Sequence, residues 1–347
     1  MKRLRLIFAL LVAFAFLIGC STQKTASEAP APTETKPQAT APAESETPSA
    51  PTEPTKPESE ERKSEKTDNV PLTPDQLKAA LKEKNPKFSG EIQTQLGPKG
   101  IAALGISDPA IEDISALKGL PLYILELTGC HVTDLSALEG MKLGAIDVSN
   151  TGVSDISVLA GMPLETVYLN KTRVEDSSPL AGAPLMDVDF SDTPLKNVEG
   201  LKGAPLTSLR LVNTKVENID PLRGGRLQSV WLNNAPLEDC SPLASNPLVS
   251  VTLAGTKVSD ISCFKGHPTL QRLHIAETEV TDLTPLQWMN GLTRLIFTPN
   301  RIKKGIEHAR EMPSIREIGT AFGTPGDEGK MFPPNVFWQM YDEGKFD

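Results

Sequence analysis

The chain has 347 residues, 30 of them prolines, and an aromatic content of only 5%, so part of it is poorly suited to a packed core. Its net charge of −9 argues against a nucleic-acid partner, whose phosphates need a basic face. Its four cysteines are too few for a disulfide framework in a chain of this length, and their spacing fits no zinc motif.

Residues 1–20 have the layout of an export signal. Lys2, Arg3 and Arg5 precede an apolar run over residues 6–18. That run is shorter than the roughly 20 residues that a membrane-spanning helix needs. A positive start, a short apolar middle and small residues before a cleavage point are typical of a secretory signal peptide.

The end of this signal, Leu17-Ile18-Gly19-Cys20, resembles the bacterial lipobox. The resemblance implies that the thiol of Cys20 carries a diacylglycerol, that cleavage precedes it, and that the acyl chains hold the protein in a membrane. The alternative is an ordinary cleaved signal in which Cys20 is incidental. Ser21 follows, which resembles the outer-membrane sorting pattern. We therefore expect a lipid-anchored protein of the cell envelope, at the outer membrane (periplasmic or surface side) rather than the inner membrane.

Residues 21–70 consist almost entirely of Ser, Thr, Ala, Pro, Glu, Gln and Lys. Such a segment cannot bury enough apolar surface to offset the entropy of ordering it, so the composition predicts a disordered tether. It could serve as a stalk that lifts the folded part off the membrane, or as a spacer without a length requirement.

A repeat follows over residues 101–320. Its units begin 21 residues apart, with the last two intervals at 22, and we number the first residue of each unit as position 0. The starting residues are Ile101, Leu122, Leu143, Leu164, Leu185, Leu206, Leu227, Leu248, Leu270 and Leu292. Apolar residues return at positions 0, 3, 5, 10, 13 and 16, and this period predicts a solenoid.

The pattern L-x-x-L-x-L-x-x-T-x-V-x-D-I-S-P-L resembles the leucine-rich-repeat family, in its short, internalin-like branch. The period-2 character around positions 3 to 5 predicts one short parallel strand per unit. A 21-residue unit leaves room for a 3-10 turn rather than an α-helix on the back side. The predicted fold class is therefore an α/β solenoid, a curved leucine-rich-repeat array with an irregular back side, preceded by a disordered linker.

Position 8 is usually threonine, where many family members carry Asn or Cys, and this side chain should bond buried backbone groups of the turn below the strand. Cys130 and Ala235 interrupt the column. Position 12 is Asp or Asn in the first nine units, which favours a cap at a turn over a calcium site. Ser178-Pro179 and Ser241-Pro242 suggest an N-cap followed by proline at the first helical position.

Both ends of the array differ from the repeats. Residues 71–100 should form an N-terminal cap with a helix over 73–83, in which Thr73 is the N-cap, Pro74 is at N1 and Gln76 at N3 completes a capping box. Residues 321–347 concentrate aromatic side chains and should form a C-terminal lid, the alternative being an exposed docking tail. The opening TPDQLKAALKEKNP, the threonine repeats and the ending PPNVFWQMYDEGKF are together similar to envelope repeat proteins of planctomycete-like bacteria, a resemblance that implies no activity.

No enzyme motif is present in the sequence: it contains no phosphate loop, no kinase catalytic loop, no HExxH and no GxSxG. We therefore expect no catalysis, no cofactor and no metal. Asp187, Asp189 and Asp192 are interpreted as a solvated acidic patch rather than a calcium loop. Cys240 and Cys263 lie in adjacent units, and we expect two unpaired thiols there rather than a disulfide.

Two functions remain open. The first is a binding module, a monomer that binds a protein or another macromolecule through the concave face of its sheet. The second is a structural spacer of the envelope without a specific ligand. Since positions 2 and 4 should point away from the core, they form the candidate site. Its residues are Tyr168, Asp187, Asp189, Arg210, Trp231, Arg272, His274 and Arg294. Aromatic and arginine side chains are typical binding hot spots, although packing of Trp231 against Arg210 is an alternative role.

Overall fold

A computed structural model describes residues 72–321 and 331–346, which form a sheet of 13 strands that follow one another in chain order. Strands β2 to β12 are parallel, and β1 and β13 pair antiparallel at the two ends. The strands are β1 (Gln93–Gly97), β2 (Gly100–Gly105), β3 (Ile124–Glu126), β4 (Ala145–Asp147), β5 (Thr166–Tyr168), β6 (Asp187–Asp189), β7 (Ser208–Arg210), β8 (Ser229–Trp231), β9 (Ser250–Thr252), β10 (Arg272–His274), β11 (Arg294–Ile296), β12 (Glu317–Gly319) and β13 (Met331–Phe332).

A three-residue 3-10 turn follows each strand from β2 to β11. The turns are Ser115–Leu117, Ser136–Leu138, Ser157–Leu159, Ser178–Leu180, Glu199–Leu201, Asp220–Leu222, Ser241–Leu243, Ser262–Phe264, Thr284–Leu286 and Pro299–Arg301. Helices α1 (Pro74–Lys84), α2 (Ile306–Glu311) and α3 (Pro334–Asp342) lie near the ends of the array. The predicted solenoid, with one short strand and one 3-10 turn per repeat, is confirmed.

The core runs through the repeats at the predicted apolar positions. In the unit that begins at Leu206, positions 0, 3, 5, 10, 13 and 16 are all buried, with exposures between 0% and 4%. Each unit stacks these side chains on those of its two neighbours, so the apolar surface of one unit is covered only when the next is folded.

The threonine column forms the hydrogen bonds expected of it. Each hydroxyl donates to the backbone carbonyl three residues earlier, over 2.6 to 2.9 Å. The residues are Thr151, Thr172, Thr193, Thr214, Thr256 and Thr278. At the two interruptions the backbone still closes the turn, since the N–H groups of Cys130 and Ala235 each donate over 3.1 Å to the carbonyl three residues earlier.

The Asp and Asn column at position 12 caps the 3-10 turns. In nine repeats its side-chain oxygen accepts a hydrogen bond from the backbone N–H two residues later, over 2.7 to 3.3 Å. The expected serine N-caps are wrong. Ser178 and Ser241 are the first residues of their turns, and their hydroxyls bond Asp176 and Asp239 instead. In both turns the carboxylate two residues earlier already accepts the hydrogen bond from the backbone N–H that an N-cap would satisfy.

Helix α1 covers the first repeat. Thr73 and Gln76 form the predicted capping box, in which each side chain bonds the backbone N–H of the other. At the end of the helix, the Asn85 side chain accepts from the backbone N–H groups of Glu112 and Asp113, each over 2.9 Å. This amide joins the cap to the first repeat.

The aromatic residues near the C-terminus pack against the last repeat. The ring centroid of Phe337, on α3, lies 5.7 Å from that of Phe297 and 4.8 Å from that of Phe346. Phe337 and Trp338 are buried. Arg310, on α2, stacks over Trp338 with its Cζ 5.1 Å from the ring centroid. These contacts match a lid and not an exposed docking tail.

Cys240 and Cys263 form a disulfide, with their Cα atoms 6.5 Å apart. The expectation of two unpaired thiols is therefore wrong. Cys240 immediately precedes one 3-10 turn and Cys263 is the second residue of the next turn, so stacking of consecutive turns brings the two sulfurs together. Cys130 is free and buried.

The signal peptide, Cys20 and the tether over 21–70 lie outside the described residues and stay predictions. Within the described ranges, none of the helices is long and apolar enough to cross a bilayer.

Candidate binding face

The sheet has one face turned away from the core, which we call the outward face. Position 3 of each strand points inward, as shown by Leu209, which is fully buried. Positions 2 and 4 therefore point outward. The strands are in register, so Tyr168, Asp189, Arg210 and Trp231 follow one another across β5 to β8 at position 4.

Four predicted site residues meet on this face, and we call them the central cluster: Tyr168, Asp187, Arg210 and Trp231. The Arg210 Nη1 donates to Asp187 Oδ1 over 2.9 Å, and the Tyr168 hydroxyl donates to Asp187 Oδ2 over 2.5 Å. The Arg210 Cζ lies 5.0 Å from the ring centroid of Trp231 and 5.9 Å from that of Tyr168. The guanidinium is therefore held by an anion and two aromatic rings.

The side chains of Arg210 and Asp187 are 29% and 30% exposed, so the central cluster is neither buried nor fully solvated. Burial alone lowers the pKa of Arg210, but the Asp187 and Asp189 carboxylates outweigh it and raise that pKa above its usual value. Burial and the bond to Asp187 raise the pKa of Tyr168. These shifts favour a charged Arg210 guanidinium and a neutral Tyr168 phenol, which the hydrogen bonds to Asp187 hold in a fixed arrangement.

Position 4 points away from the core but is closed to solvent at several strands, among them those of the predicted site residues Asp189 and His274. The buried residues with a side chain are Glu126, Asp189, Thr252, His274 and Ile296. Side chains in one column stand about 4.8 Å apart, which leaves little room for water between neighbours. Asp189 accepts a hydrogen bond from the backbone N–H of Ser191 over 2.9 Å. Burial lowers the pKa of His274 to about 4, so its imidazole is neutral at pH 7.

The interpretation of the three aspartates as one solvated acidic patch is also wrong. Asp187 binds Arg210 and Tyr168, and Asp189 is buried. Asp192 accepts a hydrogen bond over 2.6 Å from the side-chain amide of Asn213. Each carboxylate therefore has its own structural partner.

The two remaining predicted arginines lie further along the outward face at position 2. Arg294 forms an ion pair with Glu317 of the next strand. Arg272 is exposed and forms no ion pair within the part of the chain that the structure describes.

The architecture matches that of a known group of proteins. An internalin (InlF) of Listeria monocytogenes has 23% sequence identity and a TM-score of 0.57, and the match covers 72% of this chain and 77% of that protein. The chain has the leucine-rich-repeat fold.

Two other leucine-rich-repeat structures are less similar. A protein of Leptospira interrogans is 17% identical, with a TM-score of 0.44 and coverage of 59% of this chain and 62% of its own. The ectodomain of the plant receptor kinase GASSHO1/SCHENGEN3 of Arabidopsis thaliana, solved in complex with Casparian strip integrity factor 2, is 13% identical, with a TM-score of 0.47 and coverage of 65% and 39%. No family model matches the sequence, and no curated protein matches it either.

One column of the leucine-rich repeats was missed by the sequence analysis. Position 7 adopts a left-handed backbone in most units. Its non-glycine members, with φ between 56° and 60°, are Asn150, Lys171, Asp192, Asn213, Asn234 and Glu277. The enrichment in Asn, Asp and Gly at position 7 was the available signal, since these residues tolerate this conformation best.

A strip of serines beside the central cluster was also missed. Ser208, Ser229 and Ser250 are paired in register at position 2 of β7 to β9. The hydroxyl of Ser208 is buried and has no hydrogen-bond partner in the structure.

The first strands of the outward face are acidic. Burial, followed by repulsion from Asp147, raises the pKa of Glu126 to about 7, and burial also raises the pKa of Asp147. Within residues 72–321 and 331–346, no group of three or more His, Cys, Asp or Glu side chains is arranged to hold a metal ion.

Proposed function

We propose that this chain is a lipid-anchored envelope protein whose leucine-rich repeats bind a protein partner through the outward face, centred on Tyr168, Arg210 and Trp231. The observation that carries the proposal is the central cluster, in which Arg210 lies between two aromatic rings and stays partly exposed. Aromatic and arginine side chains of this kind dominate the binding energy of protein interfaces.

The cluster is also preorganised. The ion pair with Asp187 fixes the guanidinium, and the guanidinium in turn lies over both rings. A partner would therefore immobilise few additional side-chain torsions, which lowers the entropic cost of binding. A sheet with only a spacer role would carry small polar residues throughout. The serine strip at position 2 has that character, but position 4, with Tyr168, Arg210 and Trp231, does not.

The proposed location in the envelope is supported by two independent features. The segment ending at Cys20 resembles a lipobox, and Cys240 forms a disulfide with Cys263. Disulfides persist in oxidising compartments outside the cytosol. A lipid on Cys20 would hold the chain at a membrane, and Ser21 favours the outer one.

The anchor is tested by replacing the acceptor thiol. We expect Cys20→Ser to shift the full-length protein into the soluble fraction or to leave its signal uncleaved. Fractionation and the mass of the mature protein measure both. An unchanged membrane fraction together with an unchanged mass would contradict the anchor.

The partner site is tested by capture from envelope extract with tagged full-length protein. Trp231→Ala and Tyr168→Ala should each lose the captured protein, while both remain folded by circular dichroism. Tyr123→Ala is the matched control, because Tyr123 is an exposed aromatic residue outside the central cluster. Loss of capture in the control as well, or retention in both cluster variants, would contradict the proposed site.

A further inference from the structure

The two long edges of the repeat array carry opposite charge. We call the leading edge the segments at positions 16–20 of nine repeats, from 117–121 to 286–290, which lead into the strands. These nine segments contain six basic residues and one acidic residue, Glu139, a net charge of +5 in a chain whose net charge is −9. The basic residues, all exposed, are Lys118, Lys142, Lys202, Arg223, Arg226 and Lys265.

The trailing edge has the opposite sign. It comprises positions 7–12 of the same repeats, from 108–113 to 277–282, which follow the strands. These segments contain 15 acidic and 5 basic residues, a net charge of −10. Because the strands from β2 to β12 are parallel, all leading segments align at one end of the strands and all trailing segments at the other.

Trp288 lies on the leading edge in an unusual conformation. It occupies position 18, which is glycine in seven of the other eight segments, with φ between 65° and 81°. Trp288 keeps this left-handed backbone, at φ 74°, and its side chain is 74% exposed. A bulky residue with positive φ is a strained outlier. Since Trp288 stacks on no ring or cation among the described residues, packing within the repeats does not account for the strain.

We propose that the leading edge docks on an anionic lipid surface, with the indole of Trp288 in the headgroup layer and the cations against lipid phosphates. The inference rests on the proposed lipid anchor, which would hold the chain at a membrane. Tryptophan favours the membrane–water interface, and each Lys or Arg near an anionic leaflet adds attraction. The trailing edge is repelled by the same surface, so the charge asymmetry also orients the array.

The arrangement of these side chains favours a lipid surface over a protein pocket. A row of nine segments about 4.8 Å apart extends over roughly 40 Å, and its charges are spread along that length. Five of the six cations form no ion pair within the described residues; Arg223 pairs with Asp220. Trp288 is the one large apolar side chain of the nine segments that is mostly exposed, whereas a protein hot spot is surrounded by further contacts that exclude water.

Vesicle co-sedimentation tests the charge. The probe is the Cys20→Ser chain of mature length, residues 20–347, which lacks both the lipid and the apolar signal, with vesicles of phosphatidylglycerol and phosphatidylcholine or of phosphatidylcholine alone. The triple variant Lys202→Gln, Arg226→Gln, Lys265→Gln should weaken binding to the anionic vesicles about tenfold or more. The trailing-edge triple Lys171→Gln, Lys196→Gln, Lys215→Gln removes the same charge and should weaken it much less. Equal losses in the two triples, or equal binding to both vesicle types, would overturn the proposal.

Trp288→Gly tests the indole. It restores the residue of the other repeats, relieves the strained backbone and should keep or raise Tm. We expect it to weaken binding to the anionic vesicles several-fold, whereas unchanged binding would overturn the role of Trp288. These assays contain neither the lipid on Cys20 nor a protein partner. Their failure therefore leaves partner capture by the central cluster to be judged by its own test.

Discussion

The inside of the repeats and the outward face of the sheet follow different rules. Inside, the same residue type returns from unit to unit: Leu at position 0, Thr at position 8, Asp or Asn at position 12. On the outward face, position 4 changes from strand to strand: from β4 to β8 it is an acid, an aromatic residue, an acid, an arginine and an aromatic residue. A position that repeats serves the stacking of units, which is the same everywhere. A position that does not repeat is free to serve one ligand.

Substitutions at the inner positions test the difference between the repeated and the outward positions first, because they should have the largest effect on the free energy of unfolding. Leu209→Ala should lower the free energy of unfolding by about 2–5 kcal/mol, because it leaves a cavity in a fully buried column. Lys215→Ala, at an exposed variable position, should change it by less than about 0.5 kcal/mol. Urea denaturation of both measures the difference. Equal losses would mean that the repeat positions are assigned wrongly.

The disulfide is a feature of one pair of repeats only, and it should stabilise them strongly. Replacing Cys240 and Cys263 by alanine should lower the free energy of unfolding by about 3 kcal/mol, because the bond closes a loop across a sequence separation of 23. Dithiothreitol should have the same effect on the parent and none on the double variant. A parent that unfolds identically with and without reductant would contradict the bond.

Glu126 contributes a pH dependence. Its pKa is raised from 4.5 to about 7 in the folded state, so the native protein keeps a proton that the unfolded chain releases. Stability should therefore fall as the pH rises from about 4.5 to 7. Glu126→Gln removes this dependence and should raise the free energy of unfolding at pH 8 by about 1–3 kcal/mol. Denaturation of parent and variant at pH 5 and pH 8 tests this. A difference that does not grow between the two pH values would contradict the raised pKa.

Removing a single side-chain cap at position 12 should destabilise the protein less than the changes above. Asp176→Ala removes the acceptor for the backbone N–H of Ser178 and should lower the free energy of unfolding by about 1 kcal/mol. Glu217→Ala, an exposed acidic residue in the same kind of segment, is the control and should have little effect. If the two variants were equally stable, position 12 would not act as a cap.

The repeated positions were predictable from the sequence, because one period determines the strand, the core and the caps together. The hydroxyl bonds of Thr214 and the turn-capping role of Asp176 both follow from such columns. For the outward face, the sequence predicted which side chains point away from the core but not which of them are exposed to solvent. Which side chains stay open depends on neighbours in adjacent strands, and for this reason the burial of Asp189 and His274 was missed. The pairing of Cys240 with Cys263 depends on how consecutive turns stack, which spacing alone does not determine.

The central claim is that the outward face binds a partner through residues that the fold does not need. It is tested most directly by measuring, on the same Trp231→Ala protein, both the free energy of unfolding and the affinity for the captured partner. Because Trp231 is partly exposed and packs mainly on Arg210, we predict a loss of about 1 kcal/mol or less in stability. For an interface hot spot, we predict a loss of affinity of about 2 kcal/mol or more, roughly 30-fold. Full affinity with reduced stability would show that the ring only packs on Arg210 and would contradict the claim.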